Sequence, residues 1–384
     1  MKRAVAVPVV AAMFVLIVLQ TTLPVQTSEA ASRITVPRDY PTIQSAIDAA
    51  SPGDTIKVLP GTYREQITIS KSLTLIGTGD KVTTIKAPAT LPKTNTNGDP
   101  YVVDINSGAK VNMKGFTVSG PSRTSCPLSL IGISVMLDST LNLDTSSIKD
   151  CTYNGIFTEG DAIIIRTSVN DYREHGIFGF GEDITVKVSH SSIVAAKNSE
   201  VAGTIGILLV LAKGIIDHNK ISENICTVSV CGTDYSQPQS YGIVTVAASP
   251  GISITNNVLS NNDAGIDLIF SSGCCVVDRN IIRNSAPNDL FFGVVVQDGE
   301  NTISNTKISG DKVLVGVLAA AFEVNTVATL DHVIIQGAKM PTKTISDGAT
   351  AKVVFVPRSV VTTQSAASSV VPMSMPLPFP GVSS

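Results

Sequence analysis

The chain has 384 residues, a formal net charge of −3, and only 15% charged residues against a usual ~25%. That balance argues against an electrostatic grip on nucleic acid or on anionic membranes. It also disfavours a site built for polyanionic pectin, while leaving room for a local basic patch.

The first thirty residues stand apart from the fold. Lys2 and Arg3 make a basic start, and the run from Ala4 to Leu19 is apolar and uncharged. In Ser28-Glu29-Ala30, Ser28 and Ala30 place small residues where a signal peptidase reads. Residues 1–30 are therefore expected to be a secretory signal peptide cleaved after Ala30, giving a secreted, cell-surface or periplasmic protein. An uncleaved anchor is the rival reading, but Pro8 interrupts the run, which falls short of the ~20 residues a span requires.

Residues 31–90 are expected to hold an N-terminal cap and the first coils. Ile43, Ala46, Ile47 and Ala50 follow a helical period and form one narrow apolar face. Ser51-Pro52-Gly53 stops that helix. Its expected task is to cover the open end of a stacked array, where apolar side chains and strand edges are otherwise bare.

Residues 91–356 carry a repeat. A glycine followed by a β-branched residue recurs at Gly132, Gly155, Gly176, Gly206, Gly242, Gly265, Gly293 and Gly316, with spacings of 23, 21, 30, 36, 23, 28 and 23. Strand-like runs at this period, without helical periodicity, read as a β-solenoid whose coils must stack to bury their apolar faces. Thirteen or fifteen residues after each glycine comes a small polar residue: Ser147, Asn170, Ser191, Asn219, Asn257, Asn280, Thr306 and Asp331. These are expected to stack along one corner and satisfy its backbone groups.

The phrase "Gly-Ile, strand, Ile-x-x-Asn, strand" resembles the right-handed parallel β-helix of the pectin-lyase superfamily. The segment Pro41 to Ala50, then Pro52-Gly53-Asp54, then Leu59 to Glu65, is similar to the cap and first coil of pectinesterases and of the periplasmic β-helix proteins of nitrous oxide reductase clusters. The resemblance spans roughly 34–356. It implies an all-β fold, a single-stranded right-handed parallel β-helix with an N-terminal capping α-helix. It says little about chemistry, because this fold hosts many functions.

Six cysteines suit an exported protein. Cys126 and Cys151 fall before anchor glycines of adjacent coils, and Cys226 and Cys231 lie in one insertion. Both pairs are expected to be disulfides. Cys274 and Cys275 are neighbours with no assigned pairing. The tail, 357–384, holds one charge, Arg358, and reads as extended or disordered.

Long coils gain their extra residues just before an anchor glycine, at about 121–130, 195–204, 226–240 and 286–291. Insertions on one side of an array commonly mark a binding side. Positions two and four beyond each glycine should face outward there, and twelve of those sixteen are apolar. Such a face is expected to be covered by the insertions, the tail or another subunit.

Catalytic candidates are few. Asp267-Leu268-Ile269-Phe270 resembles the pectinesterase motif that carries one catalytic carboxylate, but Ser271 replaces its closing glycine. The preceding coil supplies neither partner acid nor glutamine, and the chain has no Trp. Tyr241-Gly242-Ile243 is similar to the start of an alginate-epimerase motif whose acid and histidine do not follow. The densest polar cluster runs from Asp171 to His175, near Glu182 and Asp183, with Glu159 one coil earlier. Glu159, Arg173, Glu174 and His175, with Asp267, are thus the candidate residues for uronate elimination or ester hydrolysis. The blander reading, a solvated turn with weak salt bridges, outweighs that chemistry.

No cofactor is expected: the four histidines look scattered and no methionine set has ligand spacing. The leading functional expectation is a non-catalytic exported β-helix that binds an extracellular glycan or protein along the loop-flanked face. The alternatives are a polysaccharide lyase or esterase, and an adhesive solenoid that associates with itself.

Overall fold

In a computed structural model, the described residues are 32–121, 129–150, 152–196, 203–226, 240–247, 251–284, 291–311, 313–356 and 359–362. They form a right-handed parallel β-helix with one short helix. Each coil contributes to three parallel columns of strands. The first column starts at the anchor glycines and runs from Ile67–Ile69 to Met340–Ser346. The second is a 13-stranded sheet from Arg33–Val36 to Ala351–Phe355. The third runs from Gly61–Arg64 to Val360–Thr362. That last strand lies inside the segment read as a tail and pairs with Ile334–Gln336.

The helix Ile43–Ala49 buries Ile43, Ala46 and Ile47, the face its periodicity foretold. Thr42 caps it through a reciprocal exchange with Ser45. Glu65 adds a second cap from the first coil, accepting the Ile43 and Gln44 N–H groups at 2.9 Å each. A carboxylate there also suits the positive end of the helix dipole.

Strand pairing keeps each column in register. Ile133, Ile156, Ile177, Ile207, Ile243, Ile266, Val294 and Val317 stack in one inward row, all fully buried. The anchor glycines line up beside it because there is no room for more. A Cβ on Gly265 would sit 2.5 Å from the Gly293 carbonyl oxygen and 2.7 Å from Ile282 Cγ2.

The corner ladder is real, but its register differs from the sequence count. Ser191 N–H donates to Asn219 Oδ1 (2.9 Å), Asn219 N–H to Asn257 Oδ1 (2.9 Å), Asn257 N–H to Asn280 Oδ1 (3.0 Å) and Asn280 N–H to Thr306 Oγ1 (3.4 Å). The Asn257 amide also donates back to Ile216 O at 2.8 Å. The other rungs are Ser146, Thr167 and Val333, rather than Ser147, Asn170 and Asp331. The reason is backbone geometry. Each rung follows one left-handed corner residue, such as Thr145 (φ 46°), Arg166 (49°), His218 (55°), Asn256 (56°) and His332 (54°). That corner sets the register, and counting from a distant glycine misses it whenever a coil changes length. Asn170 instead donates to Ser168 Oγ at 2.6 Å.

A second ladder, not anticipated, turns the chain from the third column to the first. Tyr172, fully buried, donates its hydroxyl to Asn224 Oδ1 at 2.7 Å, and the Asn224 amide donates to Asn262 Oδ1 at 2.8 Å.

Candidate functional site

The outward face of the first column is the expected site, and it is buried rather than solvated. Leu318 and Ala320 are fully buried, and Val295 and Leu208 nearly so. Two apolar clusters lie along it, one around Phe292, Val295 and Leu318, the other around Leu208, Val244 and Ile269. At the N-terminal coils the loop before Tyr101 lies over the face. Asn95 donates to Ser134 Oγ at 3.2 Å, and Asn97 donates to Glu159 Oε1 at 3.1 Å.

Asp267 points into this face at 1% exposure. Gln297, one coil later, donates its amide to both carboxylate oxygens, at 3.1 and 2.9 Å. Burial pushes the Asp267 carboxyl up to about 7, against the pull of Gln297 and of the Leu268 N–H. Burial and the Asp267 charge also raise the Tyr241 phenol. The sequence looked for a glutamine one coil earlier, but the structure supplies one from the coil after.

His175 and Glu174 do come together. His175 Nδ1 lies 2.8 Å from Asn154 Oδ1 and 3.3 Å from Glu174 Oε2. Tyr153 donates its hydroxyl to Glu174 Oε1 at 2.7 Å. Burial works against the Glu174 carboxylate, but His175 and the Tyr153 hydroxyl hold its pKa below the usual value. Burial and then Glu174 raise the Tyr153 phenol. Arg173 lies two residues before His175 on the same strand, Ser168–Phe180, and its charge acts in the opposite sense on Tyr153.

Glu159 does not join them. Asn154 pairs with His175, so Glu159 sits five residues along the strand, roughly 16 Å away at ~3.3 Å per residue. It lines a different cavity of about 520 Å³ with Asp161, Glu182, Asp183 and Lys110.

One acid escaped the sequence reading. Asp104 is 2% exposed, stacks with Ser134 in the same outward row, and accepts the Asn106 amide at 2.8 Å through Oδ2. Burial raises its pKa, against the bonds from Asn106 and Ser134. Among the described residues its Oδ1 has no hydrogen-bond partner. The missed signal is that Val102 stands where later coils have glycine, so a count of glycines starts the repeat one coil late. Asp104 and Asp267 are six coils apart, about 29 Å at ~4.8 Å per strand. Paired glycosidase carboxylates lie within about 5–9.5 Å, so these two do not form such a pair.

Solved structures share this architecture. XylC in complex with xylose matches with a TM-score of 0.53 at 11% identity, over 80% of this chain and 76% of that one. The chain shares the right-handed parallel β-helix fold of these proteins. This β-helix also matches a periplasmic alginate epimerase AlgG (TM-score 0.48, 13% identity, 87% and 84% coverage). A third match is the catalytic unit of a thermostable α-1,3-glucanase from Streptomyces thermodiastaticus (0.47, 15%, 88% and 71%). The family model described as "Periplasmic copper-binding protein (NosD)" matches residues 160–328. No curated protein matches the chain.

Of the cysteines in this β-helix, Cys126, Cys151 and Cys231 lie outside the described residues, as do residues 1–30. Cys226 is buried and disulfide-bonded. Cys274 and Cys275 are side by side, with Cα atoms 3.7 Å apart. The histidines are less scattered than expected. His190 and His218 occupy successive left-handed corners and stack with ring centroids 5.1 Å apart. Among the described residues no helix is long and apolar enough to cross a membrane.

Proposed function

We propose that this chain is an exported β-helix that binds an extracellular glycan or protein along the loop-flanked edge of its first column, without turning it over. One observation carries the reading: the candidate catalytic groups do not converge. Asp267 is sealed beneath the face on Gln297, the Glu174–His175 pair stands at one end of the strands, and Glu159 lies at the other. Acid–base chemistry on a sugar needs two such groups around one bond. The side chains at the edge, Tyr153, Asn154, Glu174 and His175, already satisfy one another and offer a fixed polar rim.

The copper suggested by the family description does not fit these residues. Among the described residues no three His, Cys, Asp or Glu side chains are placed to hold a metal. His218 Nδ1 is engaged by Asp217 at 2.6 Å and His332 Nδ1 by Asp331 at 2.5 Å. Met113 and Met136 are buried, and Met136 Sδ accepts a bond from Ser134. Export supports the expected bridges Cys126–Cys151 and Cys226–Cys231, which non-reducing peptide mapping tests.

The test of function has two arms. Incubation with pectate and alginate, with and without calcium, should give no unsaturated-uronate absorbance and no released methanol from methylated pectin. Product that disappears in His175→Ala or Arg173→Ala would replace this reading with a lyase. In affinity electrophoresis, retardation by a polysaccharide or a partner should weaken in Glu174→Ala and Tyr153→Phe.

A further inference from the structure

The outward face of the third column is unlike that of the first. Over its first four coils it is polar and positively charged, with Thr62, Arg64, Thr84, Lys86 and Lys149 reaching solvent and Thr117, Ser119 and Ser147 nearly buried between them. A cavity of about 540 Å³ lies on it, bounded by the strands Gly61–Arg64, Thr83–Lys86, Thr117–Ser119 and Ser147–Lys149.

The strand register organises this surface into two rows. Thr62 pairs with Thr84, Thr84 with Thr117, and Thr117 with Ser147, giving one hydroxyl per coil. Two residues along each strand, Arg64 pairs with Lys86, Lys86 with Ser119, and Ser119 with Lys149. The rows run along the solenoid axis with a step of ~4.8 Å.

The cations are short of partners. Arg64 and Lys86 are directly opposed, an arrangement of like charges that disfavours the sheet. Among the described residues neither forms an ion pair, nor does Lys81 on the rim. Among the described residues Lys149 pairs only with Asp150, at 3.7 Å and nearly half exposed, a contact worth little. Asp80 and Asp150 also line the cavity, so four cations face two acids. Part of the hydroxyl row is engaged, since Thr117 donates to Asp80 O at 2.6 Å.

We propose that this groove is a binding site for an anionic glycan, lying along the axis with its acidic groups on the Arg64–Lys86–Lys149 row and its hydroxyls against the threonine row. A bound anion relieves the repulsion between Arg64 and Lys86 and forms charge-assisted hydrogen bonds with both. The alternation of cations and hydroxyls selects a chain that carries both acids and alcohols. A polyacid without hydroxyls leaves the threonine row unused, and a neutral glycan leaves the cations unpaired. The site is separate from the first-column edge and does not depend on its occupant.

Titration calorimetry on the full chain at low salt tests this with four probes: oligogalacturonate, dextran sulfate, polyaspartate and dextran. The two anionic glycans should bind, polyaspartate should bind more weakly, and dextran should not bind. Arg64→Ala and Lys86→Ala should each weaken anionic-glycan binding by about tenfold, the loss of one charge-assisted contact. Thr84→Val should weaken anionic glycans but leave polyaspartate unchanged. These groups are on the surface, and an unchanged thermal melt establishes that each variant is folded. The proposal is overturned if neither anionic glycan binds, or if binding survives in the Arg64→Glu, Lys86→Glu double variant. Polyaspartate binding as tight as the glycans, with no effect of Thr84→Val, would reduce the groove to simple ion exchange and also overturn it. Loss of glycan binding in Glu174→Ala but not in Lys86→Glu would move the glycan to the first column, sinking this site while sparing the earlier reading.

Discussion

The first and third columns of this β-helix are built from the same coils, yet their outward faces have opposite character. The first presents Leu208, Val244, Val295 and Leu318, all nearly or fully buried. The third presents Thr62, Arg64, Thr84 and Lys86, and in later coils Ile281 and Ile334, at 42% and 36% exposure. Inside, both faces supply the same aliphatic rows. The difference shows that stacking needs only the inward side chains, leaving each outward face to be shaped independently by what lies over it.

The largest expected effect tests that contrast directly. Leu318→Lys places an unpaired charge in a buried site and should cost on the order of 3–5 kcal/mol, enough to abolish a cooperative melt in a marginal protein. Ile334→Lys, outward on the third column, should stay within about 0.5 kcal/mol. If both variants melt alike in denaturant titrations, the first face is solvated and the contrast fails.

A second experiment tests the ladder at the corner where the second column turns into the third. Asn257→Leu leaves ladder groups unpaired and should destabilise by ~1–3 kcal/mol. Asn170→Leu, off the ladder, should cost under about 0.5 kcal/mol. The reverse order would restore the register counted from the glycines.

A smaller effect concerns pH. Burial raises the Asp267 carboxyl to about 7, above its value of roughly 4 in the unfolded chain. Between these values the folded state holds a proton that the unfolded state has released. Stability contributed by this group is therefore full at pH 4 and declines as pH rises through 7. Asp267→Asn should flatten that decline, raising the melting temperature at pH 8 more than at pH 4. An equal shift at both would mean that Asp267 titrates normally and is not sealed.

The smallest effect is ionic. If the third-column cations are unpaired, Lys86→Ala should leave stability unchanged or raise it by a few tenths of a kcal/mol, by removing repulsion from Arg64. A clear loss in a salt-matched melt would show that Lys86 has a structural partner.

The amino-acid sequence alone determined the repeat, the inward aliphatic rows, the capping helix and the apolar character of the first outward face. These are short-range periodic properties, and a two-residue alternation beside an obligatory glycine is legible wherever the backbone repeats. Tertiary structure alone decided the rest. Left-handed corners placed Ser146 and Thr167 on the ladder in preference to Ser147 and Asn170. Stacking brought Gln297 to Asp267 across one coil and set Arg64 against Lys86 across another. Coils differ in length, so separation along the chain carries little information about which side chains meet. Contact across coils is fixed by the ~4.8 Å spacing between strands, and that distance exists only once the chain has stacked.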